Sequence, residues 1–130
     1  MVKQQLEKIL VGIDGSECAE KALEQAIEIA KKFSAELTVV NVYQAPEAQD
    51  LSQRILKKAE DILMSAGAKF KLVSFLSPNI PKVITDMAES QKFDLVVVGV
   101  RGMGQIKAWI VGSVCSKICF DSTVNVLIVK

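Results

Sequence analysis

The chain has 130 residues, 50% of them hydrophobic and 24% charged, which suits one compact domain and leaves no room for a second core. With 16 basic and 15 acidic side chains the net charge is +1, a balance that excludes nucleic acid or anionic membrane as a partner of the whole surface. Zero histidines remove Ser/His/Asp and Cys/His pairs, imidazole proton shuttles and zinc sites that need imidazole.

In chain order, ILVGI at residues 9–13 reads as a first strand. A helix follows, with Ala19, Leu23, Ala26, Ile27, Ala30 and Phe33 at helical spacing, Ser16 as its cap, and Glu17 and Glu20 in its first turn. LTVVNV at residues 37–42 is the second strand, and residues 44–50 (QAPEAQD) read as a polar loop. Leu51, Ile55, Ala59, Ile62, Leu63 and Ala66 trace a second helix that Gly67 ends. FKLVSFL at residues 70–76 gives the third strand, and Pro78 and Pro81 bracket the start of a third helix carrying Val83, Ile84, Met87 and Ala88. LVVV at residues 95–98 is the fourth strand, a fourth helix begins near Ser113, and VNVLIV at residues 124–129 closes the chain as a fifth strand. Strands alternating with helices predict an α/β fold: a single-domain, open five-stranded parallel sheet, flavodoxin- or Rossmann-like, ordered 3-2-1-4-5, with helices on both faces.

In such a sheet a ligand binds beyond the carboxyl ends of the strands, where strand order reverses, here between the first and fourth strands. Two glycine-bearing loops leave those strands: Gly12, Ile13, Asp14, Gly15 and Ser16, then Gly99, Val100, Arg101, Gly102, Met103 and Gly104. Glycine lets backbone approach an anion closely, and a helix start offers unpaired N–H groups at a positive dipole end. Asp14, Glu17 and Glu20 would repel phosphate from the first helix. The last helix has no acid before Asp121, and Arg101, Lys107 and Lys117 lie near it in sequence, so phosphate is assigned to Gly112, Ser113 and Val114. The P-loop pattern is absent, and the spacing does not match the dinucleotide fingerprint.

These residues resemble the universal stress protein family in its nucleotide-binding branch. The likeness spans nearly the whole chain: ILVGIDGSE at the start, FDLVVVGVRGMG, the G-x2-G-x9-G-[ST] motif filled by Gly99, Gly102, Gly112 and Ser113, and the closing VNVLIV. The resemblance implies ATP in the crevice, with Mg or Mn carried on its phosphates, and homodimers. Asp14 and the backbone at Val42 would then lie beside adenine and ribose, Gly12 and Ile13 would line the crevice, and Gly99, Gly102, Gly112, Ser113 and Val114 would hold ribose and triphosphate. Arg101 stands where the family is often basic. This chain departs from the usual pattern at Asn41, Val100, Cys115 and Asn125, where His, a hydroxyl residue, Ser and Pro are frequent.

Cys18, Cys115 and Cys119 include no CxxC pair, the N-terminus carries charges where a signal peptide would be apolar, and no run approaches the roughly 20 residues of a bilayer span. A cytoplasmic protein is expected. Cys115 and Cys119, one helical turn apart, are expected to be small core side chains, with a lowered thiol pKa at Cys115, in a helix's first turn, as the alternative. Trp109, Ile110 and Val111 are expected to pack under the second loop. Lys69 and Lys71 guard the third strand, whereas the fifth has only Asn125 before Lys130, so a homodimer is expected through the C-terminal strand. The functional expectation is an ATP-binding stress-response regulator. The alternatives are a slow ATPase and a nucleotide-independent dimeric interaction module.

Overall fold

In the computed structural model, which describes residues 6–102 and 112–130, the sheet and helices follow from where the apolar residues fall. The strands are β1 (Lys8–Gly12), β2 (Glu36–Tyr43), β3 (Phe70–Leu76), β4 (Leu95–Gly99) and β5 (Val126–Val129). The helices are α1 (Glu17–Phe33), α2 (Gln49–Ala66), α3 (Ile80–Ser90) and α4 (Ser113–Asp121). All pairings are parallel, in the order β3-β2-β1-β4-β5.

Alternation along each central strand divides the core into two layers. Ile9, Val11, Leu37, Val39 and Val97 face α1 and α2, while Leu10, Val40, Val42, Val96 and Val98 face α3 and α4. The α1 helix meets the sheet through Ala19, Ala22, Ala26 and Ala30, side chains small enough to let the helix lie close to the strands. That approach is tightest at Gly99, where an added Cβ would stand 2.8 Å from the backbone carbon of Cys18.

Helix ends follow the local chemistry. Ser16 Oγ accepts from the Ala19 N–H at 3.2 Å, Asn79 Oδ1 accepts from Lys82 N–H at 3.2 Å, and Gly67 ends α2 in the left-handed region at φ 71°. Residues 44–50 are not all loop: Pro46–Ala48 form a 3-10 turn that runs directly into α2 at Gln49, because Pro46 pre-sets a helical φ and needs no donor there. The fifth strand is shorter than its apolar run. Ser122 Oγ donates to Val124 O at 2.6 Å and accepts from Val124 N–H at 3.0 Å, so a turn occupies the stretch expected to begin the strand. Among the described residues no helix is long and apolar enough to cross a membrane.

Candidate functional site

The chain leaves β1 along a tightly tied path. Ile13 N–H donates to Val40 O at 3.0 Å, and the buried Asn41 side chain donates through Nδ2 to Ile13 O at 2.8 Å. Asp14 Oδ1 then accepts from Ser16 N–H at 2.9 Å, and Gly15 turns the chain at φ 86° into α1. Such a φ is open to glycine and strained for other residues.

On the other side of the crevice Val100 joins three elements. Its N–H donates to Val129 O and its carbonyl accepts from Gly112 N–H, both at 2.8 Å, so the end of β4 is bonded to β5 and to the start of α4. The Val100 side chain is buried inside this packing. Gly102 closes the approach between the loops: a Cβ on it would lie 2.6 Å from Asp14 Oδ2. Gly112 precedes α4 with extended backbone and no side-chain cap, and the first turn of α4 carries no acid.

Together these segments enclose a crevice of about 360 Å³, within the range of small-molecule sites. All ten candidate residues line it: Gly12, Ile13, Asp14, Val42, Gly99, Arg101, Gly102, Gly112, Ser113 and Val114. Asp14 and Arg101 are the acid and the base among the described lining residues. Lys117 is not in the lining; it makes an i,i+4 ion pair with Asp121 at 3.1 Å. Lys107, Trp109, Ile110, Val111, Met103 and Gly104 lie outside the described residues.

Sequence reasoning missed Gln44, Ile80 and Ile84, which also face the crevice. Gln44 follows the β2 strand directly, so its position at a strand end was a usable signal. Ile80 and Ile84 arrive because α3 packs over the β2 and β1 ends, where a Cβ on Gly12 would stand 2.9 Å from Ile84 Cδ1. Cys115 is the core side chain expected, whereas Cys119 is exposed, and the alternative of a lowered Cys115 pKa is corrected. The Cys115 side chain is 2% exposed, and burial, aided by the neighbouring Cys119, pushes the thiol up to about 11 rather than down. Desolvation of the thiolate outweighs the helix dipole at this position. Among the described residues no cluster of three or more His, Cys, Asp or Glu is arranged to hold a metal ion.

The sequence profile described as the universal stress protein family matches residues 5–130. A relative from Staphylococcus saprophyticus named for that family is 33% identical over 138 residues, spanning 94% of this chain and 82% of its own. Among solved structures, a universal stress protein in complex with cAMP is 28% identical with a TM-score of 0.80, covering 98% of both chains. The universal stress protein UspA from Lactobacillus plantarum is 25% identical with a TM-score of 0.76, covering 98% of this chain and 100% of its own.

Proposed function

The chain belongs to the universal stress protein family, and from that premise we propose that it is a cytoplasmic regulatory protein that binds an adenine nucleotide, ATP foremost, in the crevice between the β1 and β4 loops. The observation that carries this reading is the start of α4. Its first-turn N–H groups have no capping side chain and no acid in that turn, and they open onto a crevice whose close-approach points are glycines. Phosphates would be held by Gly112, Ser113 and Val114 with Arg101, and the base would lie on the apolar surface of Ile13 and Val42. Asp14 Oδ2, on the crevice side of the loop, suits a ribose hydroxyl or the adenine amine as donor. The solved relative in complex with cAMP supports an adenine nucleotide as the ligand class.

A divalent ion, Mg or Mn, would come on the phosphates, where it neutralises charge, since the described residues offer no carboxylate cluster of their own. Asp14 is the acid lining the crevice among the described residues, and it already accepts from Ser16 N–H, so hydrolysis is expected to be slow. Occupancy would be read out through the α4 and β5 side of the molecule, because Val100 ties the crevice loop to both. We place a homodimer contact on the edge of β5, where Ile128 is exposed and α4 beside it exposes Phe120.

Mass spectrometry of the small molecule released on denaturing the purified protein should find an adenine nucleotide. In calorimetric titrations with ATP, AMP and cAMP, Ser113→Ala should cost about 1.5–3 kcal/mol of ATP binding if its hydroxyl bonds a phosphate. Gly112→Val should remove binding by blocking the backbone. Unchanged ATP affinity in both variants would sink the assignment.

A further inference from the structure

A second cavity, of about 420 Å³, lies between α1 and α2 on the far side of the β1 loop from the crevice. Leu23 of α1 and Leu51, Ile55, Ala59 and Ile62 of α2 form its walls, and Ile13 closes its inner end. Leu51 stands 52% exposed at this groove, far more than a core leucine. The volume is that of a small-molecule site, and the walls are almost wholly apolar, so the body of any occupant must be apolar too.

The charges around the groove narrow the occupant further. Glu20 of α1 and Lys58 of α2 form an ion pair with each other across it, which spends both charges and straps the two helices together. Asp14 backs onto the groove, yet its Oδ1 accepts from Ser16 N–H and its Oδ2 points towards Gly102, which lines only the crevice. Arg54 remains. It lines the groove, is exposed, and makes no ion pair or hydrogen bond with the described residues. A guanidinium presents a planar fork that matches a carboxylate in two parallel hydrogen bonds.

We propose that this groove is a binding site for a small amphipathic monocarboxylate, with an alkyl or aryl body between α1 and α2 and its carboxylate on Arg54. A nucleotide fits poorly, because the walls supply few hydrogen-bond partners. The site is separate from the nucleotide reading: the two cavities share Ile13, Asp14 and Ala19 as a wall, but Arg54 and the α2 residues belong to the groove alone.

The test uses the full chain with labelled Ile, Leu and Val methyl groups, titrated in separate NMR experiments with decanoate, decanol and decyltrimethylammonium below their micelle concentrations. Decanoate should give saturable shifts at the Leu23, Leu51, Ile55 and Ile62 methyls and bind more tightly than the cation. Arg54→Gln should weaken decanoate about tenfold, the loss expected for one charged hydrogen-bonded contact, and leave decanol unchanged. Arg54 is on the surface, so an unaltered methyl spectrum of the free variant certifies its fold. The proposal is overturned if no groove methyl saturates or if the shifts centre on Val42 and Ile84 of the crevice. Equal decanoate affinity in Arg54→Gln, or tighter binding of the cation, overturns it as well.

Discussion

Two helices begin at the same crevice and meet their unsatisfied N–H groups in opposite ways. At α1, Ser16 Oγ takes the Ala19 N–H, Asp14 Oδ1 takes the Ser16 N–H, and Glu17 and Glu20 place negative charge in the first turn. At α4 the cap is Gly112, whose own N–H is spent on Val100 O, and the first turn has neither a capping side chain nor an acid. Every helix start carries donors and a positive pole, and here the residues beside one start neutralise it while those beside the other do not. Glycine content does not separate the two loops. What separates them is the set of acceptors already present.

The largest expected effect falls where α1 presses on β4. Gly99→Ala would set a Cβ 2.8 Å from Cys18 backbone carbon and 2.9 Å from its carbonyl oxygen, and backbone there has little freedom to move. Overpacking of this kind should cost up to about 3 kcal/mol in urea unfolding. An unchanged midpoint would mean that the α1 start is not seated as described.

Val114→Glu gives α4 the acid that α1 already has. Val114 is 36% exposed, so the substitution is tolerated sterically. ATP affinity should fall by about 2 kcal/mol through like-charge repulsion, while the stability of the unliganded protein rises by about 0.3–1 kcal/mol from the helix dipole. Opposite signs in calorimetry and in denaturation would mark an anion site, and a matching loss in both would mark simple disruption. The converse change, Ser16→Ala, should cost about 1 kcal/mol of stability with ATP affinity nearly unaltered. A larger affinity loss in Ser16→Ala than in Ser113→Ala would reverse the assignment of the two helix starts.

The smallest effect concerns Cys115 at the start of α4. Its thiol moves from the ordinary 9.0 up to about 11 on folding. Below pH 9 the group is protonated in both states, and between pH 9 and 11 the unfolded chain ionises first, so stability should decline across that window. Cys115→Ala should flatten this part of the curve in pH-dependent denaturation. A dipole-lowered thiol would give the opposite slope, with stability rising towards pH 9, and iodoacetamide would then label Cys115 ahead of the exposed Cys119.

Much of the fold was visible in short-range patterns. Short apolar runs marked the strands, the alanine and leucine spacing marked α1 and α2, and Ser16 and Gly67 marked ends that cap geometry then used. The strand that came out short, β5, was misjudged because Ser122 ties up Val124 in a turn, a competition that apolar periodicity does not register. For the site, both glycine loops could be named from sequence because each directly follows a strand. Ile80 and Ile84 could not be, since nothing near them in sequence tells that α3 will lie over Gly12.

The sequence by itself determined which segments are strands and helices, which loops carry glycine, and which helix start lies among acids, because periodicity, caps and neighbouring charges are properties of adjacent residues. Tertiary structure alone decided that Cys115 is desolvated, that Asp14 Oδ2 meets Gly102, and that α1 and α2 leave an apolar groove with Arg54 beside it. Each of these depends on groups brought together from distant parts of the chain. Desolvation and convergence exist only once the strands have paired and the helices have been pressed onto them.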